Sequence, residues 1–594
     1  MANREATKRR KLENSDDDGE IFAVDQISDL PEHILHHIMS FLPATDVNKT
    51  IILSRRFRSV WSSYPIIDLN DELLLKSSGQ YRSPEERINK FLNFLHVCLQ
   101  FREPNTRIQK FTLRVTLCDA VQWDNRIDGW ISFAVDHNVE ELDLDIKNKQ
   151  NLFYKLPQAV FSTKSVTSLK LKGFRLEPHD LILSCPLIQD LSLRCCNGLR
   201  YFTVSSAKLR TIELDRCYGL QRIEIEALFL QSFLYRGVLN EPCEINVAAC
   251  KSLKNLTLER ADITDEWVED HVAKFLLLET LKLSFCNMFK NIELSCTKLE
   301  TLELDCCKGL ENIEVAAQNL QSFLYNGDSR SCQINVAACE LLKDLMLVNA
   351  DVTDRWFADH VPRFLLLENL KLDSCNMLEK IKVSNEQLKS FHLLGCNKLV
   401  EVEIDTPNLI SLSYDDPPLP HHPLMTFSIS SSLVGVKLSL GTASLTREWF
   451  VNLRDFLGFF GHCKVLTLLC ESDEVLIFPE ALKDDLLPPL YDLKHLKIEV
   501  SSTSINYARL VKSLLWLAPH PETISFVSGN IEKSIKLGYE KMVAKQEDPE
   551  YCCRYRPIKC WRHYLKNVTM ENFENVDNKK SLLKFFTKNA KMLL

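Results

Sequence analysis

Glycine is scarce in this chain: 16 residues out of 594, where an average protein uses about 7%. Turns are therefore expected to avoid positive φ, or to place Asn and Asp there. No apolar run approaches the roughly 20 residues that a membrane-spanning helix needs. The N-terminal MANREATKRRKLENSDDDGE also lacks the apolar centre of a secretory signal. A soluble, intracellular protein is expected, nuclear and/or cytoplasmic. Strong charge of one sign is missing too: 72 basic residues face 80 acidic ones, a formal charge of −8. This excludes a global pull toward nucleic acid or an anionic membrane, and neither is expected as a partner. No P-loop, dinucleotide glycine fingerprint, HExxH or G-x-S-x-G occurs, and no C-x-x-C pair. The expectation is a non-enzyme with no cofactor and no metal.

Cysteine, by contrast, is plentiful. The 21 cysteines are an odd number in a chain without a secretory signal, so reduced thiols are expected rather than a disulfide framework. Their placement follows a repeat. LQSFLYRG (230–237) returns as LQSFLYNG (320–327), and FLLLETLKLSFCNM (275–288) returns as FLLLENLKLDSCNM (364–377). The long unit is about 90 residues.

Within it lies L-x-x-L-x-L-x-x-C, as in LRTIELDRC (209–217), LETLKLSFC (278–286) and LENLKLDSC (367–375). Its fourth position recurs at Leu191, Ile212, Phe233, Leu256, Leu281, Leu302, Phe323, Leu345, Leu370, Phe391 and Leu412, in steps of 21 to 25 residues. Alternating apolar residues point to a short strand. The same phase extends to segments at 137–146, 164–174, 463–471, 493–501 and 521–529. Cys196, Cys217, Cys286, Cys307, Cys375 and Cys396 occupy the turn after the strand, a column and not a metal cluster. The pattern resembles the cysteine-containing class of leucine-rich repeats. That resemblance implies an α/β solenoid, a curved array with parallel strands lining a concave face.

Ahead of the repeats stands LPEHILHHIMSFLP (30–43). Ile34, Leu35, Ile38, Phe41 and Leu42 recur at helical spacing, Asp29 is positioned to cap, and Pro43 ends the helix. ATDVNKTIILSRRFRSVW (44–61) supplies two more short helices, with Thr45 or Asp46 as a cap. So many large apolar groups in about 40 residues can barely form their own core, so some should meet a partner. His33, His36 and His37 read as solvated surface residues.

The stretch 25–61 resembles an F-box, a small all-α module. It is carried by Ile27-Ser28, Leu30-Pro31, Ile34-Leu35, Ile38, Phe41-Leu42-Pro43, Val47, Leu53-Ser54, Arg55-Arg56 and Trp61. Ile51 after Thr50, and Phe57 in place of a Trp, depart from the plant-type pattern without losing apolar character. The resemblance implies binding to a Skp-type adaptor, and through it to a cullin and a RING protein. Leu30, Pro31, Ile34, Leu35, Ile38, Leu42, Pro43, Val47, Leu53 and Trp61 would be the contact or supporting positions. Leu30, Pro31, Ile34 and Leu35 are expected to face the adaptor, Trp61 to lean toward the body, and Phe41 to pack within the module.

The C-terminal CCRYRPIKCWRHYLKNVTMENF and the helix that follows resemble the FBD module of plant F-box repeat proteins, through Pro557, Cys560, a strand at 565–573 and a helix over 582–593. Cys552, Cys553, Cys560 and His563 match no common zinc spacing. His421 and His422 fall in a Pro-rich loop. The expected organisation is a disordered charged tail at 1–24, with Lys8 to Lys11 as a candidate import signal, then an F-box at 25–65 and a helical linker at 66–105. The solenoid follows at 106–530 and the FBD-like module at 545–594.

Between and after the two apolar strand positions, side chains should point outward. Leu234, Leu324, Met346 and Leu394 are candidate anchors there, and Glu213, Asp215, Glu303 and Asp305 would favour a basic target segment. The resulting expectation is the substrate-recognition subunit of an SCF-type ubiquitin ligase, with an unknown protein as target. The alternative is a repeat protein that holds the adaptor without supporting ubiquitination.

Overall fold

The computed structural model describes residues 27–70, 91–117, 124–148, 153–177, 185–328, 331–415, 424–428, 433–441, 445–501, 505–528, 531–540, 560–573 and 576–591, apart from 92, 94, 97–98 and 104–105. The charged tail, Pro557, Cys552, Cys553, His421 and His422 lie outside the described residues. The chain divides into two compact units, 1–175 with 184–188, and 176–183 with 189–594.

The first unit opens with helices Glu32–Ser40, Ala44–Lys49 and Arg55–Ser63, with a 3-10 turn at Thr50–Ile52 before the last. Neither Asp29 nor Asp46 caps: the residues flanking the first two helices are Pro31 and Pro43, with no side-chain cap bond. Ser54 does cap the third helix, accepting from the Phe57 amide at 3.1 Å. Leu35, Met39, Val47, Val60, Trp61 and Tyr64 form one buried cluster, with Leu30, Ile51, Phe57 and Ile66 packed against it. The expected helical linker begins instead as a strand, Ile66–Asn70, paired in parallel with Lys110–Leu117. IIDLN alternates buried and half-buried side chains, the two-residue period that a half-covered strand requires. Strands Glu141–Asn148 and Ser168–Lys172 continue this parallel sheet.

The second unit is a parallel-strand solenoid. Strands at Asp190–Arg194, Thr211–Asp215, Ser232–Arg236, Asn255–Glu259, Thr280–Ser284, Thr301–Asp305, Ser322–Asn326, Asp344–Val348, Asn369–Asp373, Ser390–Leu394 and Ser411–Asp415 pair in unshifted register. The ladder continues through Gly435–Leu440, Val465–Cys470, His495–Val500 and Thr523–Ser528. Phe233 and Tyr235 point inward while Ser232, Leu234 and Arg236 stay half-buried, and the other copies follow the same phase. Short second strands such as Arg222–Glu226 and Asn312–Val315 form smaller sheets elsewhere in the repeat. The two 25-residue steps hold a helix as well, Asp265–His271 and Asp354–His360.

The turn chemistry follows the expectation set by scarce glycine only in part: Asn138, Asn240, Asn349 and Asn572 take positive φ, but so do residues other than Asn and Asp. Cys195, Arg216, Arg260, Phe285, Cys306, Asn349 and Ser374 all adopt positive φ, between 46° and 57°. Each stands immediately before the cysteine or alanine column. The left-handed region costs an ordinary residue about 1–2 kcal/mol. In return, the amide of each extends the ladder by one bond, as in Arg216 N–H to the Arg236 carbonyl at 2.8 Å and Ser374 N–H to the Leu394 carbonyl at 2.8 Å. The cysteine that follows is buried, and its thiol donates to a carbonyl of the preceding strand: Cys217 to Leu193 at 3.4 Å, Cys286 to Leu258 at 3.6 Å, Cys375 to Leu347 at 3.6 Å. A small residue that carries a donor satisfies an otherwise orphaned buried acceptor there.

Past the parallel strands the chain reverses. Ile531–Tyr539 pairs antiparallel with Thr523–Ser528, Leu565–Glu571 pairs with it in turn, and helix Val576–Asn589 follows. Among the described residues no helix is long and apolar enough to cross a membrane.

Candidate functional site: the F-box surface and the open face of the repeats

The adaptor-binding candidates separate into two groups. Leu35, Val47 and Trp61 are buried inside the module, Leu35 fully. Leu35 therefore does not face outward as expected: about 100° around its helix from Ile34, it packs with Val60 and Trp61 and acts as a support. Leu30 is half-buried against the same cluster. Pro31, Ile34, Ile38, Leu42, Pro43 and Leu53 are open to solvent. Phe41 reverses its expectation too, being 75% exposed, with its ring edge against His37.

Ile52 is not among the expected adaptor positions, yet it is the most exposed large apolar residue of the module, at 80%. The 3-10 turn accounts for this. It swings Ile52 and Leu53 outward while Thr50 turns in and donates to the Val47 carbonyl at 2.7 Å. Ile34, Ile38, Phe41, Leu42, Ile52 and Leu53 are thus exposed apolar side chains within one short segment.

The helices beneath that surface are pinned. His36, expected to be solvated, is half-buried. Its Nε2 lies 2.9 Å from the Val60 carbonyl and 3.2 Å from Ser63 Oγ, and its ring meets Tyr64. His33 and His37 are exposed. Trp61 is covered by the Arg102 guanidinium, 4.0 Å from the ring centroid, and Arg102 also donates to the Tyr64 carbonyl.

On the open face of the second unit, the residues named from sequence do stand in the outward columns, but their environments differ. Asp215 is buried at 5%, and it bonds Arg216 at 3.0 Å and faces Arg236 at 3.8 Å. It is a support for those arginines and not a free acidic contact. Glu213 accepts from Ser192 and Arg194, both at 2.7 Å. Glu303 pairs with Lys282 at 2.7 Å. Asp305 accepts from the neutral amide of Asn326 at 2.8 Å. Leu234, Leu324, Met346 and Leu394 are all half-buried. Leu234 stands between Glu213 and Thr257, whereas Leu324 and Met346 are register partners. The sequence had no means of separating these two settings, because strand order alone decides who neighbours whom.

Comparison with known proteins follows the same division. The family model described as F-box domain matches residues 27–75. The model described as At1g61320/AtMIF1, LRR domain, matches residues 239–353 and 329–589. The second match also covers most of the segment that the sequence resemblance sets apart as FBD-like. F-box/LRR-repeat protein At3g59190 of Arabidopsis thaliana is 34% identical over 149 residues, covering 25% of this chain and 37% of that protein. F-box/LRR-repeat protein At5g02910 of the same plant is 30% identical over 223 residues, 33% of this chain and 44% of that one. F-box/LRR-repeat protein 25, also from Arabidopsis, is 30% identical over 219 residues, 32% of this chain and 76% of that protein. Of the other Arabidopsis relatives compared, the chain spans between 37% and 49% of their length. With an F-box at its start, a repeat-model match from 239 to 589 and kinship over three quarters of a curated member, the chain belongs to the plant F-box/LRR-repeat proteins.

Proposed function

We propose that this chain is the non-catalytic receptor subunit of an SCF-type ubiquitin ligase. Its F-box docks a Skp-type adaptor, and its repeats hold a target protein. The observation that carries the reading is the apolar surface of the F-box: Ile34, Ile38, Phe41, Leu42, Ile52 and Leu53 are exposed while the module's own core is already filled. Fully burying an exposed side chain of this kind is worth about 1.5–3 kcal/mol, and Phe41, Ile52 and Leu53 are 75%, 80% and 66% exposed, so a partner that covers these three gains a stable dock. The chemistry is proximity: a target held beside a charged conjugating enzyme reacts at a raised effective concentration. No residue of this chain acts as acid, base or nucleophile in that scheme.

Capture of a purified Skp-type adaptor by the full chain tests the dock. Ile52→Asp/Leu53→Asp is expected to cut capture at least about tenfold, with the thermal melt unchanged because neither side chain supports the core. Leu35→Asp should also lose capture, but through unfolding of the module. Wild-type protein that captures no adaptor, or a double variant that captures normally, sinks the docking role.

A further inference from the structure

The 90-residue unit occurs twice, and the two copies differ most on the open face. At matched positions the first copy shows Leu234, Arg236, Thr257, Glu259, Lys282, Ser284, Glu303 and Asp305, and the second shows Leu324, Asn326, Met346, Val348, Lys371, Asp373, His392 and Leu394. In the first copy the charges are largely paired, Arg236 reaching Asp215 at 3.8 Å and Glu259 at 3.2 Å and Lys282 reaching Glu303 at 2.7 Å, while Asp305, on its last strand and beside the second copy, accepts from an amide. In the second copy Leu324, Met346 and Val348 form one half-buried apolar cluster across two paired strands, and Leu394 stands beyond Asp373.

The cluster's surroundings are acidic because arginines are missing. Arg236 and Arg260 of the first copy are replaced by Asn326 and Asn349. Asn326 leaves Asp305 with an amide in place of a guanidinium, and among the described residues Asp305 and Asp351 have no ion pair. Lys371 is taken by Asp373 at 3.2 Å.

We infer that the second copy, residues 320–396, together with Asp305 on the strand beside it, is where the target binds. Its occupant is a protein segment with one bulky apolar side chain and a Lys or Arg close by in sequence. Resting on the receptor reading above, this names the chemistry of what is received. The apolar side chain covers Leu324, Met346 and Val348. Adjacent strands are about 4.8 Å apart, and an extended segment rises about 3.3 Å per residue. Asp305 lies two strands from Met346, so the basic residue falls within about three positions of the apolar one. Complementary charge sets register and excludes acidic competitors, while the buried anchor supplies affinity.

The test pans a displayed library of random 12-residue segments on the full chain bound to its adaptor. Enriched segments are expected to carry a bulky apolar residue with Lys or Arg within three positions. Met346→Asp should reduce retention of those segments about tenfold or more, and Thr257→Asp, at the matched position of the first copy, should leave it unchanged. Asp305→Lys should turn the selected flanks from basic to acidic, a reversal that misfolding cannot produce. Adaptor binding with no enriched segment, enrichment without the basic residue, or equal loss in Thr257→Asp overturns this inference while leaving adaptor docking in place. Failure of the wild-type chain to hold adaptor overturns the receptor reading whatever the library returns.

Discussion

The two copies of the long unit share their interiors and differ in what they show. Phe233 and Phe323, Tyr235 and Tyr325, Cys250 and Cys339, Phe275 and Phe364 are matched and buried. Helix Asp265–His271 carries Trp267 stacked on His271 with 8° between the rings, and its counterpart stacks Trp356 on His360 at 11°. Trp267 Nε1 donates to the Ile245 carbonyl at 2.6 Å, and Trp356 Nε1 to the Ile334 carbonyl at 2.5 Å. Outward, Thr257 and Glu259 become Met346 and Val348. Close packing punishes any change of volume inside. A half-buried strand position tolerates any side chain that its neighbours can accompany. The scaffold is thus held by burial, and the surface is free to be specific.

Matched substitutions can break this comparison. Phe233→Ala and Phe323→Ala should each cost about 3–5 kcal/mol, and denaturant melts should give equal losses; a clear inequality would mean that the two interiors are not equivalent. The helix caps come next. Thr264 accepts from the Trp267 amide and Thr353 from the Trp356 amide, both at 3.3 Å, so Thr264→Ala and Thr353→Ala should lose about 1 kcal/mol apiece.

The charge ladder should respond on one side only. Arg236→Asn, which gives the first copy the second copy's residue, is expected to cost about 1 kcal/mol, less at high salt, since it removes one of two arginines from the buried Asp215. Asn326→Arg should change stability by no more than about 0.5 kcal/mol while repelling basic segments.

The left-handed turn sharpens the contrast further. Ser374→Gly relieves a positive φ of 57° and should stabilise by up to about 1 kcal/mol. Phe285→Gly, at the matched turn, should gain less, because Arg260 stacks 4.8 Å over the Phe285 ring.

The smallest effect is one of pH. Burial holds the His271 imidazole below its ordinary 6.5. The unfolded chain therefore takes up that proton first, and stability falls as pH drops through 6.5. His271→Gln should flatten that part of the slope in melts taken at a series of pH values.

The repeat was legible because its period and phase are written in large apolar residues. Leu256, Leu281 and Leu302 sit on their strands at the positions the spacing assigns. The F-box was legible in the same way, as an excess of apolar groups in a short punctuated segment. What could not be read were decisions between near-equivalent side chains. Leu35 and Ile34 are neighbours of like chemistry, and only the packing of three helices turns one inward. Phe41 was misjudged, and Ile52 left out of the adaptor positions, for the same reason. The positive φ values at Arg260 and Phe285 were hidden because a hydrogen bond to the next strand, absent from any local pattern, outweighs local preference.

Period, strand phase, core composition and the presence of an unfilled apolar helix were determined by the sequence alone, since each depends on the spacing of residues along one chain. Which acids are neutralised, which apolar residues touch, and which face of the F-box stays open were decided by tertiary structure. Apart from near neighbours such as Asp215 with Arg216 and Lys371 with Asp373, those depend on residues of adjacent strands, as in Arg236 with Asp215 and Lys282 with Glu303, brought together only when the repeats stack.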